Sequence, residues 1–284
     1  MREVHNRIAD YLAKLAPGGL CVAFSGGVDS ALLLRLACDT GGAVHAVTVC
    51  TPFHSPLEQA EARELAEAFG AVHKLLMPDL PGELLDNPVH RCYLCKKALF
   101  RAIREYADGQ GLEHLVDGTN RDDLGEYRPG LKALNELGVH SPLAELGITK
   151  AEVRELAAGL GLDVADKPSV PCLATRYPYD HPIRLERLPG IDRVERQARA
   201  MGISNVRARV EGETLRLEVA AADMPRVLSG REELAGLALE AGFVGISLDL
   251  EELRSGSMDI REARLAGRAG TEAKDGAYPH PESI

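Results

Sequence analysis

Hydrophobic and polar positions follow two periods along the first 170 residues. Residues 4–15 place Ile8, Tyr11, Leu12 and Leu15 on one helical face, and Pro17-Gly18-Gly19 ends that helix. Residues 20–24 form a short apolar run that predicts a buried strand. The Ala- and Leu-rich run 31–37 predicts a buried helix. A second strand is predicted over 43–49, a helix over 56–69 closed by Gly70, and a third strand over 72–77. Asp86-Asn87-Pro88 breaks the pattern. A helix then opens at Arg91 and runs to about residue 106, and 115–117 reads as a further strand. Thr149-Lys150-Ala151-Glu152 has the form of a capping box for a helix reaching Leu160, with Thr149 as N-cap. Strands alternating with helices at this spacing predict an α/β fold with a doubly wound parallel sheet.

The pattern changes in the second half. Residues 184–201 read as helical. Residues 206–210 and 214–219 alternate with period two around Glu211-Gly212-Glu213, which predicts a hairpin. Residues 224–241 are mostly helical and 243–248 read as a strand. The expected organisation is a large α/β domain over 1–176 and a small α+β domain over 183–260. The segment 261–284, rich in Arg, Glu, Gly and Ala, reads as a disordered tail.

Composition narrows the function classes. The chain has 284 residues, 45% of them hydrophobic, enough for a sizeable core. A net charge of −10 argues against a nucleic-acid partner, because phosphate backbones reward basic surfaces. No apolar run approaches the roughly 18 residues of a membrane span. The first ten residues mix charges and do not read as a signal peptide, so a cytoplasmic protein is expected.

The first candidate chemistry lies between the first strand and the first buried helix. Ser25-Gly26-Gly27-Val28-Asp29-Ser30 is a tight Gly turn at a helix start. A helix start leaves about four backbone N–H groups unpaired, and its dipole favours anions. Gly26 and Gly27 are expected to permit close phosphate approach and positive φ. Ser25 and Ser30 add hydroxyl donors, and Asp29 is a candidate helix cap or magnesium ligand. The loop is neither a Walker A loop nor a dinucleotide fingerprint. It resembles the PP-loop of ATP pyrophosphatases, which split ATP between the α and β phosphates. A second polar loop, Gly118-Thr119-Asn120-Arg121-Asp122-Asp123, follows the strand at 115–117. Gly118, Asn120 and Asp123 are candidates there for nucleotide, metal or substrate, with Asx turns in a surface loop as the structural alternative.

The six cysteines do not read as a disulfide framework in a reducing compartment. Cys21, Cys38 and Cys50 lie in apolar runs and read as core residues. Cys92-x-x-Cys95 alone is a redox pair, half a zinc site, or two helix-start cysteines with no special role. Cys172 sits in Lys167-Pro168-Ser169-Val170-Pro171-Cys172-Leu173-Ala174-Thr175-Arg176, whose prolines predict an extended loop. Three thiolates can hold a 4Fe–4S cluster with one iron open to another ligand, such as an extra sulfide.

Together these segments resemble the LarE family, the ATP-dependent sulfur transferases that build the nickel-pincer nucleotide cofactor. The resemblance spans roughly residues 25–260. It is carried by the PP-loop, Arg91-Cys92-Tyr93-Leu94-Cys95-Lys96, Asp117-Gly118-Thr119-Asn120-Arg121-Asp122-Asp123, Tyr127-Arg128-Pro129-Gly130, Ser141-Pro142-Leu143, the Cys172 segment and Arg254-Ser255-Gly256-Ser257-Met258. Two departures are visible: Asp180-His181 stands where the family usually has Gly after Pro-Tyr, and Asp259 where Asn is common.

The resemblance implies that ATP, with Mg2+, adenylylates a carboxylate of a pyridinium dicarboxylate mononucleotide and that sulfur then displaces AMP. It implies two alternative sulfur sources: a sacrificial cysteine on the Pro-Cys-Leu segment, here Cys172, or a 4Fe–4S cluster held by Cys172, Cys92 and Cys95. All three cysteines are present, so the cluster version is expected. It also implies a homo-oligomer, often a hexamer, with a small-molecule nucleotide as partner. Arg176, near Cys172, is a weaker candidate for a phosphate or carboxylate. Arg207 and Arg209, alternating on one strand face, are weaker candidates for the substrate phosphate, with a solvated strand face as the alternative. A PP-loop tRNA thiolase, an ammonia-using ligase of the NAD synthetase type and a nucleotide sensor with a zinc knob are rival readings.

Overall fold

β1 (Leu20–Ala23) accounts for the layering of the first half. The structure is a computed structural model, and it describes residues 1–125, 130–167 and 171–253. The motif residues 127–129, 168–170 and 254–258, Asp259 and the segment 261–284 lie outside the described residues. Leu20 and Val22 of β1 join one apolar cluster and Cys21 joins another, as the period of two in a strand requires. β1 pairs in parallel with β2 (Val44–Val49) on one side and β4 (His114–Val116) on the other. β2 pairs in parallel with β3 (Val72–Leu76), giving the order β3-β2-β1-β4. The α/β fold with a parallel sheet is therefore as expected.

Helices cover both faces of this sheet. On one face, α2 (Val28–Cys38) packs with α1 (Arg2–Leu15), α3 (Pro56–Ala68) and α7 (Lys150–Gly159). α2 is buried on nearly all sides, which is why its run is almost entirely Ala and Leu. On the other face, Phe100 and Ile103 of α4 (Arg91–Gly109) meet Leu134 of α5 (Gly130–Glu136), Cys21 and Leu115. The chain runs from β1 outward to β3 and then back to β4. The sheet thus reverses direction beside β1, and ligands in such sheets bind at the carboxyl ends of the strands at this point. The turn α6 (Pro142–Glu145) and α5 have no counterpart in the sequence reading, because both are too short to show a helical period.

The second half holds a three-stranded sheet. β5 (Val206–Glu211) and β6 (Thr214–Val219) form the expected antiparallel hairpin, and β7 (Gly245–Leu248) pairs in parallel with β6. α8 (Leu188–Ala200) packs on β5 and α10 (Arg231–Glu240). Gly190 permits this: a Cβ there would fall 2.2 Å from Ala241 Cβ. The helix expected over 224–241 is two helices, α9 (Met224–Ser229) and α10, parted at Gly230.

Contacts divide the chain into Met1–Leu84 with Pro88–Val170, and Leu85–Asn87 with Pro171–Ile284. Leu85–Asn87 is thus a strap belonging to the second unit. Asn87, fully buried at φ 57, donates through Nδ2 to the carbonyls of Tyr177 (3.1 Å) and Pro178 (2.6 Å). The Asp180 N–H donates to the Asn87 carbonyl and the Ile183 N–H to that of Leu85. Among the described residues no helix is long and apolar enough to cross a membrane.

Candidate functional site

The Gly-rich loop leaves the carboxyl end of β1 and opens α2 three residues earlier than expected. Gly27 is the N-cap, so Val28, Asp29 and Ser30 form the first helical turn. Asp29 is therefore not the cap, a correction to one of its two expected roles. The Ala31 N–H makes the first helical bond, to the Gly27 carbonyl at 2.9 Å. The N–H groups of residues 28–30 have no intrahelical acceptor and are available to an anion. Gly26 has φ 71, and a Cβ there would lie 3.0 Å from Ala62 Cβ, so only Gly suits it. Gly27 needs no such freedom, since its φ is −81. The two serines brace the loop. Ser30 Oγ donates to the Gly27 carbonyl (3.1 Å) and accepts from the Ser25 N–H (3.3 Å), and Ser25 Oγ accepts from the Gly27 N–H (3.3 Å).

The loop after β4 lies against this helix start. A Cβ on Gly118 would fall 3.0 Å from the Ser30 nitrogen, so its glycine serves loop–helix approach. Asp117, buried, accepts from Thr119 Oγ1 and Ser141 Oγ, both at 2.6 Å. Asn120 is buried rather than on a surface loop. Its Oδ1 accepts from the Asp122 N–H (2.9 Å), and the Asp123 carboxylate accepts from the Asn120 N–H (3.0 Å), an Asx turn in both directions. Its amide donates across to Asp29 Oδ1 at 3.2 Å. Asp29 Oδ2 forms an ion pair with the Lys150 ammonium. Lys150 opens α7 behind the expected capping box, which is present in both directions. The sequence reading gave that segment a structural role only and so missed Lys150.

These elements line a cavity of about 330 Å³. Ser25, Asp29, Ser30, Gly118, Thr119 and Asp123 make one polar part. Val47, Val49, Leu99, Phe100 and Ile103 make an apolar one. A polar end beside a free helix start and an apolar slot together suit a nucleotide: phosphates at one, a base at the other. Three further lining residues had no assigned role in the sequence reading. Lys96, next to Cys95, reaches over the Phe100 ring at 5.8 Å. His54 bonds Thr51 Oγ1 through Nδ1 at 2.9 Å, and burial pushes its pKa down, favouring the neutral ring. Thr48 donates to the Phe24 carbonyl (2.8 Å). The carboxylates suit a hard cation such as Mg2+, and Lys150 already places a positive charge on one of them.

The cysteines fall in different places. Cys92 and Cys95 stand three residues apart near the start of α4, Cys92 exposed and Cys95 half-buried. They belong to the first unit and Cys172 to the second. Among the described residues no three or more His, Cys, Asp or Glu side chains are placed to hold a metal ion. Cys172 is half-buried and precedes a short 3-10 turn, Leu173–Arg176. Of the three cysteines expected in the core, Cys21 is fully buried and its thiol is pushed up to about 12 by that burial, whereas Cys38 and Cys50 are only half-buried.

Arg176 requires a correction: its carboxylate partner is inside the protein. It is fully buried and makes a two-pronged pair with Glu195, Nε to Oε1 at 2.6 Å and Nη2 to Oε2 at 2.7 Å. Nη1 donates to the Pro171 carbonyl (3.1 Å) and to Thr175 Oγ1 (2.7 Å), so Arg176 pins the segment that carries Cys172. Nor do Arg207 and Arg209 lie on a solvated face. Arg209 donates to Glu218 (3.1 Å) and to the Thr175 carbonyl (2.6 Å). Arg207 donates to the Val206 carbonyl at 2.7 Å. Burial, then the neighbouring Arg176 guanidinium, bring Arg207 down to about 10, which still leaves it charged at neutral pH.

No protein-family model matches the chain. It is 37% identical over 243 residues to an uncharacterized protein of Synechocystis sp. (strain PCC 6803), covering 84% of this chain and 91% of that one. It is 32% identical over 251 residues to the pyridinium-3,5-bisthiocarboxylic acid mononucleotide synthase of Lactiplantibacillus plantarum, covering 86% and 91%. A more distant likeness, 28% over 190 residues and about half of each chain, is to the tRNA-specific 2-thiouridylase MnmA of Rickettsia bellii. The similarity to the synthase covers most of both chains, and the chain belongs to the LarE family of PP-loop proteins.

Proposed function

We propose that this protein is an ATP-dependent sulfur transferase acting on a pyridinium dicarboxylate mononucleotide, in nickel-pincer nucleotide synthesis. The observation that carries this reading is the cavity, with a glycine loop and free helix start at its polar end, in a chain similar along most of its length to the synthase. A carboxylate is a poor electrophile. Attack of its oxygen on the α-phosphorus of ATP expels pyrophosphate and leaves an acyl-adenylate, from which AMP is a good leaving group. A sulfur nucleophile then attacks the acyl carbon and gives a thiocarboxylate and AMP. The N–H groups of residues 28–30 and the hydroxyls of Ser25 and Ser30 bind the departing pyrophosphate. Asp29, with Asp123 also lining the cavity, would hold a magnesium ion, which would supply positive charge toward the developing pyrophosphate. Gly26, Gly27 and Gly118 keep the backbone close, and Asn120 orients Asp29.

Cys172 handles the sulfur in this reading, and Arg207, with Arg209 beside it, takes the substrate phosphate. From the sequence we also propose that Cys92, Cys95 and Cys172 hold a 4Fe–4S cluster, and that the chain is a homo-oligomer in the cytoplasm.

The test incubates anaerobically purified chain with ATP, Mg2+ and the dicarboxylate mononucleotide. Formation of AMP, pyrophosphate and a thiocarboxylate is expected, with loss of the thiocarboxylate in Cys172→Ala. About four irons per chain, lost in the same variant, support the cluster. No iron, with Cys172 lighter by one molecule of hydrogen sulfide after turnover, shows the sacrificial route instead. Thiolation of bulk tRNA but not of the mononucleotide overturns the substrate assignment.

A further inference from the structure

The Asp29 carboxylate, at the polar end of the cavity, is fully engaged before any ligand arrives. Oδ1 accepts from the Asn120 amide at 3.2 Å, and Oδ2 pairs with the Lys150 ammonium. A carboxylate so occupied offers a divalent cation little, because a bound cation would sit beside an ammonium of the same sign. The lysine backbone is fixed. Lys150 donates its N–H to Asp122 Oδ2 at 2.9 Å, and Thr149 and Glu152 close the capping box around it. Its side chain is one-third exposed and pairs with Asp29 through the ammonium, so it can swing on a flexible four-carbon stem while its Cα stays in place.

We propose that Lys150 is an exchangeable counter-cation of this site. It neutralises Asp29 in the empty protein and moves onto the polyphosphate when a nucleotide brings its divalent cation to Asp29. This rests on the cavity binding the metal complex of ATP. Two consequences separate it from a merely structural ion pair. The empty protein binds divalent cations weakly because Lys150 competes for Asp29. The nucleotide complex binds tightly partly because Lys150 then meets a phosphate oxygen. Removing the ammonium moves the two affinities in opposite directions, whereas losing a structural tether weakens both.

The experiment uses the full chain and Mn2+ as the spectroscopic probe, titrated by electron paramagnetic resonance without nucleotide. Binding of Mg–ATP is then measured by calorimetry. In Lys150→Gln, Mn2+ is expected to bind about tenfold more tightly and Mg–ATP about tenfold more weakly than in the unaltered chain. Lys150→Arg, which keeps the charge, should hold Mn2+ binding near the original value, and it covers the case of a poorly folded glutamine variant. Asp29→Asn should abolish the gain in Mn2+ affinity when combined with Lys150→Gln. Unchanged Mn2+ binding in Lys150→Gln, or weakening of both ligands, overturns the exchange while leaving the ATP reading intact. Failure of the unaltered chain to bind Mg–ATP overturns both.

Discussion

Two ion pairs show how differently the two units use charge. Arg176–Glu195 in the second unit is almost wholly excluded from water. Every prong of its guanidinium has a partner, and Glu195 also accepts from Arg199 and the Ala208 N–H. Asp29–Lys150 in the first unit is a pair of side chains 20% and 32% exposed, joined by one ammonium contact. The first arrangement can only hold a shape, since displacing either partner strands a charge away from water. The second is cheap to open, because solvent and counter-ions take over both partners. Burial and the number of committed donors, rather than the presence of an ion pair, separate a scaffold charge from a working one.

Mutation of the buried pair should have the largest effect. Arg176→Met leaves Glu195 uncompensated and is expected to cost about 3–5 kcal/mol of stability, read by urea unfolding. If the loss is under about 1 kcal/mol, the buried pair is no scaffold and the comparison fails. Asp29→Asn should invert the outcome: little change in unfolding, but a fall of about 10²-fold in pyrophosphate release. Gly26→Ala forces a side chain into positive φ against Ala62, and should cost about 1–3 kcal/mol along with ATP affinity. Thr149→Ala, which removes only a cap, should cost about 1 kcal/mol and leave the second unit untouched.

The same comparison predicts a pH response. Burial opposes ionisation of Glu195, but its bonds to Arg176, then the Ala208 N–H and Arg199, outweigh this and hold its carboxyl below the usual range. A carboxyl depressed on folding adds stability above its unfolded pKa, near about 4.3. That stability is lost as pH falls through the lower, folded value. Acid unfolding below about pH 4 should therefore be steep in the unaltered chain and flattened in Arg176→Met, followed by circular dichroism.

Local rules made much of this legible beforehand. The sheet followed from alternation of apolar runs, and the loop of residues 25–30 from its position between a strand and a helix. The capping box at Thr149 was visible, but its very clarity gave Lys150 a structural explanation and hid its contact with a residue 121 positions away. Arg176 was visible only as a cation near a cysteine. Glu195, on α8, is brought to it by packing that no spacing records. Arg207 and Arg209 read either as an anion site or as a strand face open to water, because alternation reports which residues share a face, not what covers it. Lys96 stood in a quoted motif without a role of its own and His54 in none; the folding of α4 and the loop after β2 puts them on the cavity.

The strap Leu85–Asn87 bears on how the chain is made. Synthesis runs from the amino end, so residues 85–87 leave the ribosome long before 171–183, whose backbone they hydrogen-bond. The second unit therefore cannot complete itself from a contiguous stretch of nascent chain. Its closing residues wait through the synthesis of the rest of the first unit, and a fragment cut to start at Pro171 would lack them. Expression of the carboxyl half by itself should yield a less stable unit than the same residues supplied with a peptide spanning 80–90.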